Sequence, residues 1–286
     1  MNGFITKVNA GLYDVYAEGK FYSCKARGKF RIGGRSPLAG DFVRFDEKQL
    51  YLLEIYPRKN YFTRPPIANI DQVVIVASLA NPVIPLSLIN RFVIISQIAG
   101  IKPIIIFTKY DLVEDESYKS IIDEVSSLGY EYYVYSSKTL EGLDKIKNIM
   151  KNKKTLFTGQ SGVGKSTLIN LLIPGIKQET GDISKALGRG KHCTRIVEFI
   201  KHDDAWIADS PGFSFIEFDI LPEDLASVYP GFQKYLGKCK FNDCIHEKEP
   251  GCTIKEALEN KEISQEHYDL YVSLLNELRM NRKDKY

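Results

Sequence analysis

Hydrophobic and polar positions change their period twice along the chain. Up to about Arg64 they alternate in short, glycine-punctuated runs (FITKVNAGLYDVYAEG, KFYSCKARG, GDFVRFDE, LYLLEIYP) with no helical spacing. Alternation at period two turns one side of each run toward a core, and several such runs in close succession predict a small all-β barrel. The Pro65-Pro66 pair closes this zone. From Asp71 the runs become wholly apolar and alternate with helical stretches: DQVVIVASL, a helix near 86–99, PIIIF, a helix near 118–128, YEYYVY, a helix near 143–150, and KTLFT. Strands apolar on both faces and joined by helices predict a mostly parallel sheet with helices on each side. Beyond Leu221 only helical periodicity remains, and Tyr268, Tyr271, Leu274, Leu275 and Leu278 form one stripe suited to core packing.

A chain of 286 residues has room for two domains, or three with one small. With 44% apolar and 26% charged residues it has the composition of a folded globular protein, which excludes disorder. No apolar run reaches the ~18 residues of a membrane helix, and the first residues alternate where a signal peptide is continuously apolar, so a soluble, cytoplasmic protein without membrane contact is expected. The net charge of +3 is unevenly spread: residues 1–65 hold 12 basic and 6 acidic side chains, a net of +6. Lys25, Arg27, Lys29 and Arg31 recur at every second position, so a strand through them lines one face with positive charge. Such a ladder suits a phosphate backbone, although a solvated strand face has the same pattern.

The chemistry concentrates in a few segments. Gly159, Gln160, Ser161, Gly162, Val163, Gly164, Lys165 and Ser166 match GxxxxGK[ST], with Thr167 next, between a predicted strand and a predicted helix. Glycines let backbone N–H groups turn onto a β-phosphate, the helix N-terminus adds its dipole, Lys165 offers a cation to β- and γ-oxygens, and Ser166 can ligate Mg²⁺. Downstream, AWIADSPGF ends a strand in a DxxG segment, where Asp209 can hold Mg²⁺ and the Gly212 N–H can meet a γ-phosphate. Thr108, Lys109, Tyr110 and Asp111 follow the strand PIIIF. Asp111 can accept from both N1–H and the N2 amine of guanine, two donors that adenine does not present together, while the Lys109 stem lies along the base plane. Ser136, Ser137 and Lys138 follow YEYYVY, where backbone N–H groups can meet guanine O6. Thr108 stands where asparagine is commoner.

Five cysteines make an odd set, and Cys239, Cys244 and Cys252 fall within a short stretch with His246. Three thiolates and one imidazole suit a closed, tetrahedral, structural Zn²⁺ site rather than a disulfide framework. Cys24 and Cys193 are expected as free thiols, His202 and His267 as surface residues, and Trp206 as packing under the sheet.

The order of motifs is reversed relative to an ordinary small GTPase, because Asp111 precedes Gly159 by 48 residues. The domain is circularly permuted. With a β-barrel in front, the order TKYD, SSK, GQSGVGKST, DSPG and a cysteine-rich tail, the chain resembles the circularly permuted GTPases of ribosome small-subunit assembly, the ribosome small-subunit-dependent GTPase A type. The likeness spans essentially the whole chain, including the GDFV-like segment at Gly40, Asp41, Phe42 and Val43. It implies three parts: an OB-like RNA-binding barrel at 1–64, a permuted α/β P-loop GTPase domain at 65–222, and a zinc-binding helical domain at 223–286. It also implies GTP hydrolysis stimulated by the small ribosomal subunit, a role in late maturation of that subunit, and rRNA contact by the barrel of a monomer. The family has a Gly-x-His-Thr-Thr stretch resembling GRGKHCTR here, which carries over His192 as the water-positioning or proton-handling group and Thr194 as the Mg²⁺ and γ-phosphate sensor. A surface loop is the alternative for His192. Phe213, where many GTPases place a water-orienting glutamine, predicts slow intrinsic turnover. The competing classes are an adenine-specific P-loop kinase or ATPase and a non-enzymatic RNA-binding scaffold.

Overall fold

The computed structural model describes residues 1–26, 30, 36–113, 116, 118–173, 197–210 and 220–283. The alternating N-terminal runs form β1 (Asn2–Asn9), β2 (Leu12–Ala17), β3 (Lys20–Ala26), β4 (Phe42–Asp46) and β5 (Tyr51–Ile55). They close a barrel in the order β1-β2-β3-β5-β4, with β3 and β5 parallel and the other neighbours antiparallel. This is the five-stranded OB arrangement. Period-two alternation sends Ile5, Tyr13, Val15, Cys24, Val43, Phe45 and Leu52 inward. Burial pushes the Cys24 thiol up to about 11, so it stays protonated inside the barrel.

The GDFV-like segment is a structural joint. Gly40 sits at φ +91, and a Cβ there would lie 1.9 Å from the carbonyl of Ala68, so only glycine fits. Asp41 is fully buried; it accepts from the Leu38 N–H at 2.7 Å and from Arg58 through both oxygens at 2.7 and 2.8 Å. Of the basic ladder, Lys25 lies exposed near the end of β3, while Arg27, Lys29 and Arg31 lie outside the described residues.

A small hairpin, β6 (Tyr61–Phe62) with β7 (Ile67–Ala68), leads into the central sheet. That sheet contains β8 (Gln72–Ser78), β9 (Ile104–Thr108), β10 (Glu131–Tyr135), β11 (Lys154–Thr158), β12 (Phe199–His202) and β13 (Ala205–Asp209), in the order β10-β9-β8-β11-β13-β12. Every pairing is parallel except that of the edge strand β12. The helices are α1 (Leu86–Ile98), α2 (Tyr118–Ser127), α3 (Leu143–Met150) and α4 (Lys165–Leu172). Ile89, Phe92 and Val93 of α1 with Ile122 and Val125 of α2 cover one face of the sheet. Leu143, Ile146 and Met150 of α3 with Leu168, Ile169 and Leu172 of α4 cover the other. Covering both faces explains why β8 is apolar from Val73 to Ala77 and buried along its whole length.

Trp206 packs, half-buried, against the apolar core on one face of the sheet, as expected, and it also reaches the barrel. It stands edge-on to Phe4 and Tyr16 of the barrel, with centroids at 4.6 and 4.9 Å, and so joins the two units. Lys7 pairs with Glu198 at 2.6 Å across the same seam, and Lys201 donates to the Tyr16 hydroxyl at 2.7 Å.

The C-terminal unit contains α5 (Leu225–Val228), α6 (Thr253–Glu259) and α7 (Gln265–Lys283), wrapped around Tyr229, Phe232, Ile254, Tyr271 and Leu275. His267 is not a surface residue but is fully buried; one turn before Tyr271, it heads the same stripe of α7. Its Nε2 meets the Pro230 carbonyl at 2.9 Å, and its Nδ1 faces Asn90 of α1 at 3.4 Å and Glu124 of α2 at 3.8 Å. Among the described residues no helix is long and apolar enough to cross a membrane.

Candidate nucleotide site and metal centre

Parallel strands point their carboxyl ends to one edge of the sheet, and ligands of open α/β sheets bind there. The motifs follow β9, β10, β11 and β13, so all of them start from that edge. After β11 the chain runs through 159–164 and enters α4 at Lys165. Gly159 approaches β8 so closely that a Cβ would lie 2.5 Å from the Val76 carbonyl, and Gly164 caps the helix at φ +90. Ser166 and Thr167 follow in the first turn, whose N–H groups have no intrahelical partner and favour an anion. Gln160 and Ser161 complete the loop.

Lys165 is buried, donating to the Ser210 carbonyl at 2.8 Å and pairing with Asp209 at the end of β13. Burial pushes the Asp209 carboxyl above its ordinary value, and Lys165 pulls it partly back. A cation suited to phosphate and a carboxylate suited to magnesium thus neutralise one another in a buried setting. Ser210 Oγ and Gln160 Oε1 are also buried, with no protein hydrogen-bond partner among the described residues.

The base-reading loop meets this cradle directly. Thr108 ends β9, and its hydroxyl donates to the Val163 carbonyl at 2.6 Å. Lys109, at φ +59, donates to the Gly162 carbonyl at 2.7 Å and to the Asn81 carbonyl at 2.5 Å, and burial lowers its pKa. The threonine found where asparagine is commoner therefore ties the base loop to the phosphate loop. Asp111 follows in a short 3₁₀ turn, 110–112, with Oδ1 buried and without a protein partner among the described residues. An orphaned buried acceptor fits a ligand with adjacent N–H donors, as the guanine edge has. After β10, Ser136 is fully buried and its Oγ accepts from the N–H groups of Lys138 and Thr139 at 3.2 Å, shaping the turn that contains Ser137.

Sequence reasoning missed Glu141, which accepts the Tyr110 hydroxyl across these two loops, and Asn81, whose carbonyl holds Lys109. Neither lies in a recognisable motif. His192 and Thr194, their neighbours Arg189, Lys191, Cys193 and Arg195, and Gly212 and Phe213 lie outside the described residues.

Profiles of two domain families match in tandem, the RsgA N-terminal domain over residues 2–50 and the RsgA GTPase over residues 55–219. The chain belongs to the RsgA GTPase family. Its similarity to RsgA proteins extends from end to end. It is 42% identical to small ribosomal subunit biogenesis GTPase RsgA 2 of Oceanobacillus iheyensis, over 99% of each chain. It is 43% identical to the RsgA of Bacillus pumilus, again over 99% of each. Among solved structures, YjeQ from Thermotoga maritima superposes with a TM-score of 0.81 at 30% identity, covering 97% of this chain and 98% of that one. YloQ, described as a circularly permuted GTPase, gives 0.81 at 36% identity over 98% and 95%. The RsgA fold, barrel and permuted GTPase domain together, is thereby established for this chain.

The four tail residues converge as well. The ligand atoms of Cys239, Cys244, His246 and Cys252 all lie within 4.8 Å of one another, and His246 Nδ1 stands 3.5, 3.5 and 3.4 Å from the three sulfurs. A tetrahedral zinc with bonds of about 2.3 Å to sulfur and 2.0 Å to nitrogen has N···S edges of about 3.5 Å, so the cluster could hold that ion. Burial lowers the His246 pKa, favouring the neutral imidazole that ligation needs. The loop is braced from α7: Tyr271 donates to the Ile245 carbonyl and Tyr268 to the His246 carbonyl, each at 2.8 Å. Glu249 accepts from the N–H groups of Ile245, Glu247 and Lys248 at 3.2, 2.9 and 3.0 Å.

Proposed function

We propose that this protein binds GTP at the carboxyl edge of its central sheet, hydrolyses it, and acts in late maturation of the small ribosomal subunit. One observation carries the reading. Thr108 and Lys109 bond to Val163 and Gly162, so the loop that presents Asp111 and the loop that cradles phosphate line one pocket although 48 residues separate Asp111 from Gly159. Asp111 selects guanine with its unpartnered oxygen, Ser136, Ser137 and Lys138 border the base, and the backbone from Gly159 to Thr167 with Lys165 holds the phosphates. An adenine-specific ATPase would leave Asp111 facing a ring nitrogen that has no proton to give.

Mg²⁺, which neutralises phosphate charge when bound, would be held by Ser166, Asp209 and Thr194. Lys165 then exchanges Asp209 for phosphate oxygens. His192 is assigned to water positioning and Gly212 to sensing the γ-phosphate on their sequence motifs. Phe213 cannot orient water, so turnover depends on a partner. The relatives are called small ribosomal subunit biogenesis GTPases, and the excess positive charge of residues 1–65 favours rRNA as the surface the barrel meets. Cys239, Cys244, His246 and Cys252 hold structural Zn²⁺, and the protein works as a cytoplasmic monomer.

GTP turnover with and without purified small subunits tests this reading, and a stimulated rate is the expected result. Background turnover in both conditions would favour the scaffold class. Selective stabilisation by ADP instead of GDP in a melting experiment would favour the adenine class.

A further inference from the structure

We propose that Tyr110 and Glu141 form a latch that fixes the spacing of the two base-reading loops and thereby sets how long and how selectively a guanine nucleotide stays bound. This rests on the guanine reading of Asp111 and goes beyond it by assigning two positioning residues.

The Tyr110 hydroxyl donates to Glu141 Oε2. Tyr110 immediately precedes Asp111 in the 110–112 turn after β9; Glu141 ends the turn that Ser136 begins after β10. Each partner is held within its own loop. On the first side, the Leu112 N–H donates to the Lys109 carbonyl at 3.0 Å and the Val113 N–H to the Tyr110 carbonyl at 3.2 Å. On the second, the Ser136 N–H donates to the Glu141 carbonyl at 3.3 Å and the Leu140 N–H to the Ser136 carbonyl at 2.9 Å. Gly142, at φ +84, presses this turn against β10, since a Cβ there would lie 2.2 Å from the Val134 carbonyl. A hydrogen bond between two such stiff pieces transmits position: moving Glu141 moves Tyr110, and Asp111 with it. The hydrogen bond to the carboxylate, with burial and its charge adding, raises the Tyr110 pKa, so the phenol remains a donor.

A base gripped by Asp111 on one edge and by the Ser136–Lys138 backbone on another needs both in place at once. Loops that wander must be ordered at binding, and that cost reduces affinity. Glu141 is exposed and Tyr110 half-buried, so the latch is worth a modest amount, roughly three- to tenfold in affinity, expressed mainly in release.

The test uses the full chain and measures dissociation of fluorescent GDP together with its preference over inosine diphosphate, which lacks the 2-amino group that Asp111 reads. Tyr110→Phe is expected to release GDP about three- to tenfold faster and to narrow the guanosine-over-inosine preference. Glu141→Gln still offers an acceptor oxygen and is expected to retain most of the original lifetime. Tyr110→Phe combined with Glu141→Ala is expected to be no worse than Tyr110→Phe alone. Unchanged release and preference in Tyr110→Phe, or fully additive effects in the double variant, overturn the latch. Asp111→Asn assayed with xanthosine diphosphate runs in parallel. If that variant switches base while Tyr110→Phe is inert, the latch alone falls; if it does not switch, the guanine reading falls first.

Discussion

Thr108→Val isolates the link between base loop and phosphate loop. Valine matches threonine in shape, so no cavity opens at a site that is 1% exposed, and what disappears is the 2.6 Å hydrogen bond to the Val163 carbonyl. A second acceptor, the Ala77 carbonyl at 3.4 Å, is too distant to contribute much. Removing one partner of a buried hydrogen bond costs about 1–3 kcal/mol, because the remaining acceptor is left unsatisfied. The cost falls on the arrangement that binds nucleotide. If about half of a mid-range cost of ~2 kcal/mol is expressed in binding, the GDP dissociation constant rises about fivefold, the equivalent of ~1 kcal/mol. The rest lowers the melting temperature of the ligand-free protein by about 2–6 °C for a domain of this size. Calorimetric titration with GDP reads the first quantity and a thermal melt the second. Thr108→Ser keeps the hydroxyl and is expected to stay near the original in both. A folded Thr108→Val protein whose GDP affinity lies within about twofold of the original would refute the idea that this bond joins the two loops.

Other perturbations reach different parts of the account. Lys165→Ala should abolish productive nucleotide binding, as judged by loss of the GDP-induced rise in melting temperature; a preserved rise would remove Lys165 from the cradle. Chelator treatment is expected to release about one zinc ion per chain and to loosen the Tyr229, Phe232 and Tyr271 cluster, seen as a loss of near-ultraviolet circular dichroism. An unchanged spectrum after complete metal loss would mean that the thiolates do not organise that core. Burial alone would raise the Asp71 pKa, but hydrogen bonds from Lys59 and from the Lys154 N–H hold it below its ordinary value. Its stabilisation is therefore present at neutral pH and is lost as acid drives the pH down through its folded-state pKa. Urea midpoints for Asp71→Asn should fall less steeply than those of the original protein below about pH 4, and parallel curves would count against the assignment.

Much of the candidate site was legible because its chemistry is local. The phosphate loop, the DSPG segment and the TKYD turn each follow a strand whose apolar run is visible in the sequence, and parallel strands deliver their following loops to one edge. The barrel was legible because period-two alternation survives in strands such as β2 and β4, although in β1 a register shift near Ile5 and Lys7 leaves Phe4, Ile5 and Thr6 all buried. What escaped notice depends on contacts between distant segments. Glu141 carries no motif and gains its role only because β10 lies beside β9. His267 looks like a polar surface residue of α7 until Asn90 and Pro230 pack around it. Trp206 sits on a sheet strand, but its ring serves the barrel seam, which no periodicity in β13 announces. The pairing of Asp41 with Arg58 turns a segment read as a family signature into a buried joint.

The decisive measurement is nucleotide competition on Asp111→Asn, using GDP and xanthosine diphosphate against a fluorescent reporter. Exchanging carboxylate for amide reverses the donor and acceptor pattern offered to the base while leaving the phosphate loop untouched. If one pocket holds both ends of the nucleotide, the variant prefers xanthosine diphosphate and binds it with an affinity close to that of the original protein for GDP. A variant that keeps its original preference for guanosine, or that loses all base preference at undiminished affinity, would contradict the shared pocket.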